Sequence, residues 1–296
     1  MFNDSLAWFF RTVNTRLLYT KFWLEEKFVK VIFLLSIRFY KSWMKSQQKP
    51  SSYVLHNIDK NLVMKVDLSK SMGAAFYWMG FHELNEWRFL NTFLKEDMVF
   101  VDIGSNQGEF ALFSAKRLTK GSVLAFEPVN FFYDLLNQNI SLNQFRNIKT
   151  FHCGLSDVAK QLPIYMGSEG EGENEGLGSV FQSKKRNRFI QNIDLKVFDD
   201  MVTELNVARI DFMKIDVEGA ELMVLNGSKE AIRKFRPHVM IEISEETYRA
   251  AGYSVSDVKS FFKPLNYSLH IISKGGILKR SESTPDFCNA VFVPND

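Results

Sequence analysis

Long apolar runs, paired cysteines and a dinucleotide-type glycine loop are what this chain of 296 residues lacks. No stretch of 18 apolar residues occurs, so no conventional membrane-spanning helix is expected. The nearest candidate, Val31-Ile-Phe-Leu-Leu-Ser-Ile37 between Lys30 and Arg38, is too short to cross a bilayer. The order of basic start, apolar stretch and small-residue cleavage site that marks a secretory leader is not seen. The only two cysteines, Cys153 and Cys288, lie far apart and show no metal spacing. This excludes a disulfide framework and a zinc site, and a cytoplasmic, reducing setting is expected. The missing G-x-G-x-x-G argues against a nicotinamide-dependent oxidoreductase.

Charge is unevenly spread. Residues 1–49 hold nine Lys/Arg against three Asp/Glu, and the remaining 247 residues hold 28 against 31. The basic signal therefore belongs to an extension, and the body shows no nucleic-acid footprint. Residues 1–49 also carry twelve aromatics, among them Trp8, Phe9, Phe10, Trp23 and Trp43, with no Pro or Gly to interrupt a helix. Two readings stand. One is an amphipathic segment on an anionic membrane surface, giving peripheral association; the other is a helical arm packed on the catalytic domain or on a second subunit. Lys49-Pro-Ser-Ser52 reads as a linker. Residues 50–296 are expected to form the catalytic domain, with a strand-and-turn cap and a helix over 50–95 and a core over 96–296.

Two constellations carry the chemistry. In Val99-Phe-Val-Asp-Ile-Gly-Ser-Asn-Gln-Gly108 a buried strand ends in Asp102 and runs through a glycine loop into a helix opened by Glu109. A second strand, Val123-Leu-Ala-Phe126, ends in Glu127 before Pro128. Two carboxylates around such a loop repel a pyrophosphate. They suit a ligand with ammonium or sulfonium charge and no phosphate, such as S-adenosylmethionine, and Glu127 is placed to accept from both ribose hydroxyls. In Ile210-Asp-Phe-Met-Lys-Ile-Asp-Val-Glu-Gly-Ala-Glu221 a third strand ends in Asp216, with Glu218 on the loop beyond. In a doubly wound sheet all three acids face one crevice at the C-terminal strand ends.

Strands are expected near 99–103, 123–127, 148–153, 211–216 and 238–243, with an antiparallel pair near 267–273 and 288–293. Helices are expected near 83–94, 109–118, 131–142, 220–235 and 256–263. The alternation implies an α/β fold with a mostly parallel sheet covered by helices on both faces. Residues 167–178, with five Gly interleaved among four Glu, read as a flexible loop: a lid over the cleft or a solvated insertion.

From about Glu86 to Ser244 the chain resembles the FkbM family of S-adenosylmethionine-dependent methyltransferases. The likeness rests on residues 99–108, Ala125-Phe-Glu-Pro128, Gly154-Leu-Ser-Asp157, Asp211-Phe-Met-Lys-Ile-Asp-Val-Glu-Gly219 with Glu221, and Arg236-Pro237 before Glu242. Ser105 and Gly154 replace the family's usual alanines. The resemblance implies a Rossmann-like class I methyltransferase fold. It places Asp102, Gly104, Asn106 and Gly108 at the methionine part of the cofactor, Glu127 at the ribose, and Ser156 and Asp157 beside the adenine. Asp216 and Glu218 would face the methyl group and the acceptor, and Glu86 falls where the family often carries an acid ahead of the first strand. It further implies O-methylation of a small-molecule acceptor, often a sugar or natural-product hydroxyl; a glycolipid or lipid-linked acceptor follows if residues 1–49 bind a membrane. The alternative is a non-catalytic binding module that keeps the cofactor pocket. Asp211, Asp216, Glu218 and Glu221 could in principle hold a divalent ion, but their spacing does not demand one.

Overall fold

The computed structural model describes residues 2–19, 52–68, 70–167, 178–184 and 186–296. The chain opens with helix α1 (Phe2–Tyr19), a hairpin of β1 (Ser52–Ile58) and β2 (Leu62–Asp67), and helices α2 (Ser71–Met79) and α3 (Leu84–Phe93). Then come β3 (Val99–Ile103), α4 (Glu109–Ala115), β4 (Ser122–Phe126), α5 (Asn130–Leu142) and β5 (Ile148–Phe151). A side sheet of β6 (Gly154–Leu155), β7 (Lys160–Met166) and β8 (Arg188–Lys196) precedes α6 (Phe198–Glu204), β9 (Phe212–Ile215), α7 (Glu221–Gly227), α8 (Lys229–Phe235) and β10 (His238–Ser244). The chain closes with α9 (Glu245–Ala251), α10 (Val255–Phe262), β11 (Tyr267–Ser273), β12 (Ile277–Arg280) and β13 (Phe287–Pro294).

The main sheet runs β12-β11-β13-β10-β9-β3-β4-β5. Strands β10, β9, β3, β4 and β5 are parallel, and β13, β11 and β12 pair antiparallel beyond β10. The fold class expected from the sequence is what forms. Winding proceeds outward from β3 through β4 to β5, then restarts at β9 on the other side. The reversal between β3 and β9 opens the crevice where such sheets bind ligands. The period-two alternation of the strands sorts their side chains to two cores. Phe100, Phe212, Met240 and Val291 pack on one face, and Val101, Met213, Val239 and Ile241 on the other.

Several boundaries differ from the sequence reading. The expected helix over 220–235 is two helices, interrupted at Ser228, whose φ of −117° and ψ of 9° are not helical; at the neighbouring Gly227 a Cβ would lie 2.0 Å from the Ser156 carbonyl oxygen. Helix and side sheet touch there, and the helix restarts at Lys229. Part of the expected strand-and-turn cap is helix α2, whose Phe76, Tyr77 and Trp78 are all buried. A helix apolar all round shows no readable stripe. The side sheet and β12 were not anticipated.

Helix α1 packs on this cap. Ala7 and Phe10 are buried, Arg11 donates to the Asn57 side chain at 2.6 Å and to the Tyr77 carbonyl at 2.5 Å, and Tyr77 donates to Asp4 at 2.8 Å. Tyr19 and Arg117 both bond the buried Asp59. Trp8 and Phe9 stay exposed. The remainder of the aromatic extension and residues 168–177 of the expected flexible loop lie outside the described residues. Among the described residues no helix is long and apolar enough to cross a membrane.

Candidate active site

The C-terminal ends of β3, β4, β9 and β10 open into a cavity of about 540 Å³. On one side of it the loop after β3 folds back tightly. Gly104 has φ +82°, and a Cβ there would sit 1.9 Å from the Asp216 carbonyl oxygen, so only glycine lets this loop lie against the exit of β9. Asn106, at φ +49°, is a second left-handed residue in the loop, and its side chain accepts from the Gln107 amide at 2.7 Å. Glu127 is held by main-chain donors alone: its two oxygens accept from the amides of Asn106 and Val129, each at 2.8 Å. Burial pushes the Glu127 carboxyl up to about 7 against those two hydrogen bonds.

Asp102 is 1% exposed, and among the described residues neither of its carboxylate oxygens has a hydrogen-bond partner. Burial raises it to about 6, although Lys214 beside it pulls the other way. A buried carboxylate with no hydrogen bond is costly, and Lys214 offsets only part of that cost.

The opposite wall is built from strand register. Asp102 lies opposite Lys214 across β3 and β9, and Lys214 lies opposite Met240 across β9 and β10. Two residues on, the pleat brings Asp216 and Glu242 to the same face and the same level. Lys214 donates to Asp216 at 2.7 Å, and its ammonium lies 4.7 Å from the Phe110 ring centroid. Burial alone would discharge Lys214, but Asp216, Asp102 and Glu83 outweigh it and hold the lysine charged. Glu218, at φ +55°, is gripped by the segment that joins β7 to β8. Its carbonyl accepts from the Ser179 hydroxyl at 2.7 Å, and its carboxylate pairs with Arg186 at 2.6 Å. Burial, reinforced by Asp216, pushes Glu218 up to about 8.

Of the residues singled out from sequence, Asp102, Gly104, Asn106, Glu127, Asp216 and Glu218 all line this one cavity. Gly108 lies behind it. With φ +98°, it caps α4 and packs on Leu136. Ser156 and Asp157 follow the cavity-lining Leu155 and bond each other at 2.9 Å. Glu86 lies outside the wall and accepts from Asn289 at 3.3 Å; the neighbouring Glu83 lines the cavity instead. Asp211 holds the Val99 amide at 2.8 Å at the opposite end of β9. Glu221 clamps the amides of Val217 and Gly219 and the Tyr253 hydroxyl. Both are structural acids. Sequence reasoning missed Glu83, Arg186 and Glu242 as site residues. The available signal for Glu242 was an acid inside the apolar strand Val239-Met-Ile-Glu-Ile243.

The domain model described as the methyltransferase FkbM domain matches residues 102–269, more than half of the chain. The chain belongs to the FkbM methyltransferases. It is 30% identical over 177 residues to methyltransferase sdnD of Sordaria araneosa, covering 51% of this chain and 68% of that protein. It is 27% identical over 153 residues to the 2-O-methyltransferase NoeI of Sinorhizobium fredii, covering 48% and 62%. Over 187 residues it is 28% identical to the hexuronic acid methyltransferase AglP of Haloferax volcanii, covering 62% and 69%. The matched stretch spans about two thirds of each relative. The cofactor of this FkbM methyltransferase is S-adenosylmethionine, and the unpartnered Asp102 with the amide-held Glu127 fits its ammonium and its ribose.

Proposed function

We propose that this FkbM methyltransferase methylates a hydroxyl group on a sugar or sugar-bearing acceptor. The observation that carries the reading is the division of one cavity into two acidic walls, with Asp102 and Glu127 on the donor side and Asp216 and Glu218 on the other. Bound S-adenosylmethionine would supply an electrophilic methyl group. Asp102, Gly104 and Asn106 are proposed to hold its amino-acid end, Glu127 its ribose, and Ser156 and Asp157 the rim beside its adenine. A hydroxyl becomes a competent nucleophile only as its proton leaves, and Asp216 and Glu218 are the carboxylates positioned to orient that hydroxyl and accept the proton. The printed activities of NoeI and AglP, a 2-O-methyltransferase and a hexuronic acid methyltransferase, support the acceptor class.

The test is methyl transfer from S-adenosylmethionine to a panel of hexoses, uronic acids and lipid-linked glycans, read by mass spectrometry. Product is expected on at least one hydroxyl acceptor, and Glu218→Gln should lower kcat by about 10²–10⁴-fold, the usual range for removing a general base. Cofactor binding with no transfer to any acceptor would overturn the reading in favour of a non-catalytic binding module. A membrane-surface role for residues 1–49 rests on the exposed Trp8 and Phe9. Failure of the full chain to sediment with anionic liposomes would remove it.

A further inference from the structure

Glu242 lines the same cavity, beside Asp216 and Glu218, and among the described residues its carboxylate has no hydrogen bond. Ligand oxygens of Asp216, Glu218 and Glu242 lie within 4.8 Å of one another. In this cluster each of the first two acids has one oxygen tied to a cation and one left over. Oδ2 of Asp216 takes the Lys214 ammonium, and Oε2 of Glu218 takes the Arg186 guanidinium. The strand register that levels Asp216 with Glu242 also sets Asn289 opposite Glu242, so the row is fixed by the sheet rather than by loop chance.

A separate observation points to a missing cation. Glu83, at the start of α3, reaches over this row and accepts from Asn289 at 3.0 Å through Oε1. Its Oε2 is buried with no partner, as are both oxygens of Asp102, which is 1% exposed in the same wall. Asp102 is accounted for by the cofactor's ammonium; Glu83 and Glu242 are not. The cavity is lined by eight carboxylates, those of Glu83, Asp102, Glu109, Glu127, Asp216, Glu218, Glu242 and Glu246, against Lys214, Arg186 and His82.

We propose that Asp216, Glu218 and Glu242 form a divalent-cation site on the acceptor side, with Glu83 as the acid that balances its charge. The donors are all hard carboxylate oxygens, which suits Mg²⁺, Mn²⁺ or Ca²⁺ rather than a soft thiophilic metal. Three protein ligands leave coordination positions for water and for the acceptor. The inference rests on the hydroxyl-methylation reading and deepens it, because an ion here would hold the acceptor oxygen and lower its pKa.

The experiment titrates the full chain with Mn²⁺ alone, following loss of the free-ion electron paramagnetic resonance signal. S-adenosylmethionine affinity is measured separately by calorimetry, so failure of the ion site is distinguishable from failure of the methyltransferase reading. One saturable site is expected, displaced by Mg²⁺ or Ca²⁺. Glu242→Gln should weaken it at least tenfold while cofactor affinity and melting temperature hold, and Glu83→Gln should weaken it less. No saturable binding, or equal binding by Glu242→Gln, would overturn the proposal. Saturable binding of glucosamine in place of Mn²⁺ would also overturn it, and would reassign the acidic wall to an amine-bearing acceptor.

Discussion

The two walls of the cavity hold their carboxylates by different means. On the donor side Glu127 is fixed by backbone amides, and the loop geometry is enforced by the contact of Gly104 with the Asp216 carbonyl. On the acceptor side Asp216 and Glu218 are fixed by side-chain cations, Lys214 and Arg186. Main-chain donors come with the fold and survive most substitutions. Side-chain donors are exchanged by single substitutions. On the proposed assignment, the methyl donor is held by groups written in the backbone and the acceptor by groups written in side chains.

The sharpest way to break this comparison is at Lys214, which belongs to both walls through Asp102 and Asp216. Lys214→Met strips the cation from buried acids and is expected to cost about 3–5 kcal/mol of stability, the usual effect of removing one partner of a buried ion pair. Urea unfolding reads it. A loss under about 1 kcal/mol, the range of an exposed pair, would show that the walls are electrically independent.

Next in size is Glu127→Ala. Loss of charge-assisted hydrogen bonds of about 1.5–3 kcal/mol should weaken S-adenosylmethionine about 10–100-fold, with no change in Mn²⁺ binding. Parallel calorimetric and spin-resonance titrations would show whether the two walls can be damaged separately.

The smallest effect is a proton count. Asp102 and Glu127 sit near 6 and 7 in the free protein, above the ordinary carboxylate range. The folded state therefore binds more protons than the unfolded one between about pH 4 and 7, and stability of the free protein falls as pH rises through that window. A cationic ligand favours the ionised forms. Binding near pH 6.5 should release protons, and affinity should climb from pH 5.5 to 7.5 before levelling. Calorimetry in two buffers of different ionisation heat measures the release, which Asp102→Asn should reduce. Equal heats in both buffers would contradict the assignment.

The donor wall was legible because strand, acid, glycine loop and helix follow one another within Val99 to Pro128. Local grammar suffices when the parts of a site are neighbours in sequence. The acceptor wall needed tertiary information. Arg186 stands among Lys184, Lys185 and Arg188 with no local signal to single it out, and only the approach of the β7–β8 connection to Glu218 makes it a buried partner. Glu242 reads as an oddity in an apolar strand until the register of β9 and β10 levels it with Asp216. The side sheet escaped for a different reason. Pro163 lies within β7, a position that demotes a segment as a strand unless it falls on an edge, and β7 is an edge strand.

Strand β13 has a consequence for how the molecule comes into being. It threads between β10 and β11, so the strand that carries Glu242 gains its outer neighbour only when residues 287–294 have been made. The loop after β3 has been synthesised by Pro128, on the order of ten seconds earlier at about 5–20 residues per second. Asn289, the donor to Glu83, arrives with that last strand. A ribosome that stalls before Phe287, or a protease that trims behind Glu282, leaves the donor pocket's own residues in the chain and removes the strand that closes the opposite wall.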